Sequence, residues 1–358
     1  MGSNGWRGGA GITLMLAALC AAAAAQSQAA KGDGVLQMAH LGRCRLESGA
    51  VIEDCRIGYR TFGHLDAKHD NAVLMPTWLF GTSADLKGLF GDGSKPEQVV
   101  DTRRFFGIAI DALGDGISSS PSNSAAQRGT KFPQFTERDM VEAEYRVLTE
   151  VLKLQHLHAV VGLSMGGEQT FDWAVAHPKF FDLAVPILGT PRLTPYDLET
   201  KTIQIDTIVD DPAYDHGNYT KEPALKLANL FGNLTVTTPE SRNAATTREG
   251  FAEFVKQAEA PLEGDANDRV WQLHAIVMQD VIGKHTLAEA ARATRARFLV
   301  IVNANDHLVN PEPALAWARA KSAPVYISHG TCGHLIMSCD AAAVSSRVRE
   351  FLATGAVK

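Results

Sequence analysis

The chain has 358 residues, of which 45% are hydrophobic and 21% are charged, and its formal net charge is −6 at pH 7. This length is sufficient for one large domain with a sizeable core, so a second independent domain is not required. The composition lacks the basic excess that nucleic acid or an anionic membrane attracts. We therefore expect no nucleic-acid partner.

The N-terminus differs in kind from the rest of the chain. A single early positive charge, Arg7, precedes a short apolar stretch and then small residues with Ala-x-Ala cleavage points. This pattern predicts a secretory signal peptide over residues 1–29, because the stretch is short and Ala-rich for a permanent anchor. Lipid attachment at Cys20 is disfavoured, since Leu19 stands where processing needs a small residue. We expect an exported protein, periplasmic or secreted, without stable membrane insertion.

Four cysteines follow this leader as two local pairs, Cys44 with Cys55 and Cys332 with Cys339. Export favours a disulfide bond in each pair. The segment between the first two is typical of two strands around a turn at Gly49, a register that would put Cys44 directly opposite Cys55. Four buried free thiols are the alternative.

Strands and helices alternate along the first half of the mature chain. In chain order, the pattern predicts a hairpin over 35–62, strands over 71–81 and 103–116, a helix over 139–155, a strand over 157–164, a helix over 165–177 and a strand over 181–189. Such alternation indicates a mostly parallel sheet flanked by helices.

The strand pattern is absent from about residue 191 to 290, where polar segments separate helices. Strands return in "RARFLVIVNAND" and "SAPVYISHG", and a helix closes the chain. The sequence therefore predicts an α/β fold in which residues 30–190 and 291–358 form the two parts of the core and residues 191–290 form an inserted helical cap.

The segment "VVGLSMGGEQ" places Ser164 in a G-x-S-x-G motif. The motif alone is weak, but here it lies between a predicted strand and a predicted helix, which is the setting of a nucleophile elbow. Such a sharp turn exposes the hydroxyl group and aims the amide of Met165, at a helix N-terminus, toward a developing oxyanion. A turn serine with no chemical role is the alternative.

A nucleophilic serine needs an imidazole to accept its proton and a carboxylate to orient that imidazole. Asp306 follows one predicted strand and His334 follows the next, so both belong to loops at the sheet edge that carries Ser164. The chain order Ser, Asp, His is that of α/β-hydrolases. The alternative carboxylates and bases, which fit this arrangement less well, are Asp111, Asp115, His307 and His329.

A second oxyanion donor is expected from the loop after the strand "NAVLMP", where Trp78 or Leu79 can offer a backbone amide. The other motifs are weak. The glycine-rich "GLFGDGSK" has Ser94 where a phosphate-binding loop needs lysine, and the histidines and cysteines lack the spacing of a zinc site. No metal ion, nucleotide or other cofactor is predicted.

Four segments resemble the homoserine O-acetyltransferase family of α/β-hydrolases: "NAVLMPTWLFG", "FPQFTERDMVEAEYRVLTEVLKLQHLHAVVGLSMGG", "TFDWAVAHPKFFDLAVPI" and "DDPAYDHGNY". The likeness covers most of residues 40–340. The resemblance implies a triad of Ser164, Asp306 and His334, with oxyanion amides from Leu79 and Met165. It also implies a helical cap that roofs a tunnel to the serine, and a homodimer packed through that cap.

The sequence departs from this family where the family binds homoserine. Asn229 and Val236 stand where the family has an arginine for the homoserine carboxylate and a tyrosine, and Leu335 replaces an aspartate that receives the amino group. Neutral side chains at these positions remove the charge pairing that a zwitterionic substrate needs. Homoserine is therefore not the expected acceptor.

Acetyl-CoA is a cytosolic metabolite that an exported enzyme would rarely meet, whereas water is always available. We therefore predict an exported serine hydrolase that cleaves a small, fairly apolar acyl substrate, as an ester, thioester or amide, through an acyl-enzyme on Ser164. The alternative activity is O-acyl transfer to an acceptor other than homoserine. A binding protein that kept the fold and lost catalysis is the alternative from a different class.

Overall fold

A ten-stranded sheet forms the centre of the protein in the computed structural model, which describes residues 31–261 and 263–357. The predicted signal peptide, with Cys20, lies outside these residues. The described strands are β1 (Lys31–Asp33), β2 (Gln37–Arg45), β3 (Val51–His64), β4 (Ala72–Pro76), β5 (Phe90–Gly91), β6 (Val100–Asp101), β7 (Phe106–Ile110), β8 (Leu157–Leu163), β9 (Phe181–Ile187), β10 (Arg297–Phe298), β11 (Val300–Asn303) and β12 (Val325–Ser328). Of these, β5 and β6 form a separate two-stranded sheet, and the other ten form the central sheet.

Among the described residues, α-helices occupy the connections from β7 to β8, β8 to β9, β9 to β10 and β11 to β12, and two more follow β12. The helices are α1 (Glu137–Arg146), α2 (Met165–Ala176), α3 (Pro195–Val209), α4 (Lys226–Thr235), α5 (Pro239–Ala245), α6 (Phe251–Ala258), α7 (Ala266–Val277), α8 (Leu287–Ala293), α9 (Glu312–Lys321), α10 (Ile336–Cys339) and α11 (Ala341–Thr354). Short 3-10 helices span Asp85–Leu89, Gly129–Lys131 and Pro212–Gly217. Within the described ranges, no helix is both long and apolar enough to cross a membrane.

The sheet order is β1-β3-β7-β4-β8-β9-β11-β12, with β2 paired to β3 and β10 to β9. The first strands pair antiparallel, and every neighbouring pair from β7 through β4, β8, β9 and β11 to β12 is parallel. The prediction of a mostly parallel central sheet flanked by helices is confirmed. In such a sheet, the loops that follow the parallel strands meet at one edge, which is where ligands bind.

The two faces of the sheet bury separate apolar clusters. Along β8, Val160 belongs to a cluster with Phe171 and Trp173 of α2, whereas its neighbour Val161 belongs to a cluster with Phe351 of α11. Successive strand residues point to opposite faces, so a strand covered on both sides must be apolar throughout. This is why β8 reads as a continuous hydrophobic run that ends directly at the serine.

Helices α3 to α8, called the insertion below, stand between β9 and β10. The insertion has a small apolar cluster of its own, which includes Ile208, Tyr214 and Leu273. One side chain of α7 ties it to the core: Gln272 accepts from the amide of Phe80 at 2.9 Å and donates to the carbonyl of Leu113 at 3.1 Å. The insertion is therefore hydrogen-bonded directly to the loop that follows β4.

Two local predictions are wrong in detail. The helix predicted over 139–155 is α-helical only to Arg146, and a π-helical turn, Val147–Val151, continues it. Cys44 and Cys55 are joined by a disulfide, with Cα atoms 5.6 Å apart, but they are not directly opposite. Cys44 faces Ile52, because two register shifts displace the pairing of β2 with β3 by this point.

Candidate active site

Ser164 occupies a sharp turn between β8 and α2, with backbone angles φ 56° and ψ −124°. Few residues other than glycine adopt a positive φ, so the surrounding structure must hold this conformation. The amide of Ser164 donates to the carbonyl of Ile187 at 2.8 Å, and its carbonyl accepts from the amide of Glu168 at 2.9 Å. The turn is thereby fixed to β9 on one side and to the first turn of α2 on the other.

Glycines at 162 and 166 make room for this turn. A Cβ atom on Gly162 would lie 1.9 Å from the carbonyl oxygen of Gly166, and a Cβ atom on Gly166 would lie 2.6 Å from that of Pro76. Real Cβ atoms do not approach backbone oxygens so closely. The two glycines of the motif therefore have a steric role, which allows α2 to start against the ends of β4 and β8.

Asp306 lies in the loop after β11, and its carboxylate is held rigidly. Its Oδ1 accepts hydrogen bonds from the amides of Leu308 at 2.9 Å and Val309 at 3.1 Å. Its Oδ2 lies 2.7 Å from Nδ1 of His334, and the Asp306 side chain is only 1% exposed. One carboxylate oxygen is thus committed to the backbone and the other to the histidine.

His334 lies in the loop after β12 and joins the other two residues. Its Nε2 is 2.7 Å from Oγ of Ser164, so Ser164, His334 and Asp306 form one chain of hydrogen bonds. The amide of His334 donates to the carbonyl of Val236, at the end of α4, at 3.1 Å. The insertion therefore helps to position the histidine.

A disulfide brackets the histidine loop. Cys332 and Cys339 are bonded, with Cα atoms 6.3 Å apart, and they enclose His334 and the short helix α10. The loop has two further supports: Thr238 donates to the carbonyl of Thr331, and Asn303 donates to that of Gly330. Covalent and hydrogen-bonded contacts together therefore fix the position of this loop.

The two predicted oxyanion amides belong to separate segments of the chain. Met165 is the first residue of α2, and Leu79 lines the same cavity as Ser164 in the loop after β4. Among the described residues, neither amide has a hydrogen-bond acceptor. Trp78, the alternative donor, lines the same cavity.

The alternative carboxylates, Asp111 and Asp115, accept hydrogen bonds from groups other than His334, and the alternative bases are exposed. Asp111 is buried and accepts from the hydroxyl of Ser83 at 2.7 Å, and burial raises the pKa of its carboxyl group. Asp115 accepts from two loop amides, and burial together with the charge of Asp111 holds its pKa well above its usual range. His307 and His329 are exposed, and neither contacts Ser164.

Buried charges lie behind the hydrogen-bonded chain. Burial raises the pKa of Glu168, one turn along α2 from the serine, to about 7, and the charge of Lys201 opposes this rise. Burial lowers the pKa of Lys201, which the negative charges of Glu168, Asp197 and Asp306 partly restore. Sequence reasoning missed this group, because nothing near Lys201 in "LETKTIQI" distinguishes it from a surface lysine.

A cavity of about 440 Å³ opens onto Ser164 and His334. Most of its lining is apolar, from the loop after β4, from α3, α4 and α7, and from α10. Asn229 and Val236 line it, and the Asn229 amide donates to the carbonyls of Ala224 at 3.1 Å and Ala260 at 3.0 Å. Among the described residues, no group of three or more His, Cys, Asp or Glu side chains could hold a metal ion.

The sheet topology and the hydrogen-bonded Ser164, His334 and Asp306 are typical of α/β-hydrolases. Comparison with known proteins leads to the same class. The model of the alpha/beta hydrolase fold family matches residues 86–338. The acetyl esterase MekB superposes with a TM-score of 0.82 at 27% sequence identity, over 90% of this chain and 97% of that one.

Curated relatives narrow the class. An ethyl acetate hydrolase of Pseudomonas veronii is 30% identical over 80% of this chain and 85% of that protein. A homoserine O-acetyltransferase of Methanocorpusculum labreanum is 30% identical over 81% of this chain and 68% of that protein. A probable esterase of Corynebacterium glutamicum is 38% identical, but the match spans only 53% of this chain and 54% of that protein.

The chain belongs to the α/β-hydrolase family, in the group that resembles homoserine O-acetyltransferases. Its activity is accordingly that of a hydrolase or an acyltransferase.

Proposed function

We propose that this protein is a serine esterase that works through an acyl-enzyme on Ser164. The observation that carries the proposal is the unbroken chain of hydrogen bonds from the Ser164 hydroxyl through the His334 imidazole to the Asp306 carboxylate, with both links at 2.7 Å. A serine hydroxyl is inert near neutral pH unless such a base takes its proton.

The geometry assigns a step to each group. His334 Nε2 accepts the hydroxyl proton while Ser164 Oγ attacks the ester carbonyl, and His334 then returns the proton to the leaving alcohol. Asp306 holds the proton on Nδ1, so that Nε2 is free to act as the base. The amides of Met165 and Leu79 stabilise the oxyanion, and water repeats the sequence to release the acid.

Water is favoured as the acceptor because, among the described residues, no carboxylate lines the cavity to pair with the amino group of an amino acid acceptor. The side-chain amide of Asn229 donates to two backbone carbonyls. Leu335 is 46% exposed and does not line the cavity. Neither residue can pair with the charges of an amino acid acceptor. The printed names of two similar proteins, an ethyl acetate hydrolase and an acetyl esterase, support ester hydrolysis here.

The test is the hydrolysis of p-nitrophenyl acetate and butyrate by the mature protein. Turnover should fall at least about 10³-fold in Ser164→Ala and His334→Gln, since either change breaks the proton relay. His307→Gln is the matched control, because His307 is exposed and outside this chain of hydrogen bonds, and it should retain turnover. Equal activity of Ser164→Ala and the unaltered protein would exclude the proposal.

Acyl transfer is the second candidate, supported by the similarity to homoserine O-acetyltransferases. Product analysis with and without added alcohols separates the two activities, because a transferase diverts most acyl groups from water to the acceptor. Failure of a fluorophosphonate probe to label Ser164 would instead favour a binding protein.

We further propose that the protein is exported after removal of residues 1–29. The two disulfides support this, because such bonds persist in oxidising compartments. N-terminal sequencing of the protein recovered from a cell envelope fraction checks it, and an intact Met1 would contradict it.

A further inference from the structure

The catalytic cavity contains a buried cation that the proposed mechanism does not use. Arg269, on α7, lines the cavity together with Ser164 and His334 and is only 8% exposed. Among the lining residues of the described chain, Arg269 alone carries a permanent charge. A guanidinium in such an apolar cavity is costly unless a counter-charge meets it.

The position of Arg269 is fixed relative to the proposed oxyanion donor. Its guanidinium carbon lies 4.6 Å from the centre of the Phe80 ring, and Phe80 directly follows Leu79. Gln272, three residues along α7, holds the amide of Phe80 at 2.9 Å. The cation is therefore stacked on the loop after β4, in the wall of the cavity that also contains Ser164.

No carboxylate of the described residues forms an ion pair with Arg269. One nitrogen, Nη2, donates to the carbonyl of Glu263 at 2.6 Å, which uses one of five donors. Burial lowers the pKa of the arginine, and the negative charges of Glu222, Asp268 and Asp265 only partly oppose this effect. None of the three forms an ion pair with it.

Glu222, which opposes the burial effect most strongly of the three, is exposed, and the other two carboxylates already have other partners. Asp268 accepts from the amide of Ser122 at 2.9 Å and from its hydroxyl at 2.6 Å. Asp265 caps the N-terminus of α7, where it accepts from the amides of Asn267 and Asp268. The remaining donors of Arg269 are thus left for a group that enters the cavity.

We propose that Arg269 binds a carboxylate of the substrate, so that the natural substrate is an ester whose acyl or alcohol part ends in a carboxylate. The fork of a guanidinium matches a planar carboxylate through two parallel hydrogen bonds. The largely apolar lining of the cavity suits the hydrocarbon chain that joins the carboxylate to the ester. This inference rests on the proposed esterase activity.

The experiment compares matched pairs of esters on one preparation of the mature protein in a pH-stat. Ethyl hydrogen succinate against ethyl pentanoate tests a carboxylate on the acyl side, and 4-acetoxybutanoate against pentyl acetate tests one on the alcohol side. In one pair, kcat/KM for the anionic ester should exceed that for the neutral ester by roughly ten- to hundredfold. The amount of folded enzyme cancels in each ratio.

Arg269→Met should reduce that ratio to about one, because the counter-charge is gone. Arg242→Met is the matched control: Arg242 also stacks on an aromatic ring of the insertion, Phe254 at 3.9 Å, but it lines a separate cavity. Its ratio should equal that of the unaltered protein. If Arg269→Met does not fold by circular dichroism, Arg269→Lys replaces it, and its ratio should fall because the fork is lost.

Several results would overturn the inference. Preference for the neutral ester in both pairs, or an unchanged ratio in the Arg269 variant, would show that Arg269 only supports the insertion. Failure of the proposed function looks different, since none of the four esters would then show hydrolysis that depends on Ser164, and the inference would fall with it.

Discussion

Replacing Asp306 with asparagine is a sharp test of the proposed triad, because the structure dictates which way the new amide must face. The amides of Leu308 and Val309 donate to Oδ1, so the oxygen of the asparagine must stay there. Its NH₂ group then takes the place of Oδ2, 2.7 Å from Nδ1 of His334. An NH₂ group can only donate, so His334 must accept at Nδ1 and carry its proton on Nε2. The imidazole is then unable to take the proton of Ser164.

The magnitude follows from the cost of turning the amide round. The reverse orientation leaves two backbone N–H groups unsatisfied, at about 1–3 kcal/mol each, or about 2–6 kcal/mol together. At about 1.4 kcal/mol for each factor of ten, the productive tautomer becomes roughly 30-fold to 10⁴-fold rarer. A loss of about 10⁴-fold is typical when a triad aspartate becomes asparagine. We therefore expect kcat to fall by about 30-fold to 10⁴-fold in Asp306→Asn, while the fold is retained.

The assay is turnover of p-nitrophenyl butyrate, with thermal unfolding measured in parallel. Asp115→Asn is the matched control, because Asp115 also accepts from two backbone amides, those of Ile117 and Ser118, both at 2.8 Å. It has no histidine partner among the described residues, and its turnover should change only a few-fold. A loss of less than tenfold in Asp306→Asn, with an unaltered unfolding temperature, would refute the reasoning about the tautomer.

Three further outcomes are expected. Replacing Cys332 and Cys339 by serine removes a short covalent loop and should lower the free energy of unfolding by about 2–3 kcal/mol in urea, and no measurable change would count against a bond there. Gly162→Ala should destabilise the protein by more than about 2 kcal/mol, because the new Cβ would lie 1.9 Å from a backbone oxygen, so an unchanged melting temperature would disprove the steric argument. Burial raises the pKa of Glu144 to about 8, above its usual 4.5, so the folded protein keeps a proton that the unfolded chain releases, and stability is lost as pH rises from about 4.5 through 8. The melting temperature of Glu144→Gln minus that of the unaltered protein should therefore increase as pH rises from 6 to 8.5. A difference that does not change with pH would contradict this linkage.

The residues of the candidate site could be predicted because each of them follows a strand that is recognisable in the sequence. Ser164 ends an apolar strand and begins a helix, and Asp306 and His334 follow later strands in an order that a parallel sheet brings to one edge. The structure places the three side chains within hydrogen-bond distance of one another. The fold class depended on the same alternation of strands and helices, which survives errors of several residues at element ends.

What could not be predicted depends on contacts between distant segments. The prediction that Cys44 lies directly opposite Cys55 is wrong, because a β-bulge shifts the strand register without changing the residue pattern. Arg269 and Lys201 resemble surface charges in sequence, and only the packing of the insertion shows that both are buried. Their roles are set by neighbours that lie far away along the chain.

Val236 contributes to the site in two ways, because its backbone and its side chain have different contacts. Its carbonyl accepts a hydrogen bond from the amide of His334. The carbonyl is common to every amino acid, so it can hold the backbone of His334 whichever side chain stands at 236. The side chain, by contrast, faces the cavity and shapes what enters it. A change of side chain at 236 is therefore expected to alter the shape of the cavity while the hydrogen bond to His334 stays in place. A variant with a shortened α4 would lose both the hydrogen bond to the His334 amide and the Val236 side chain that lines the cavity.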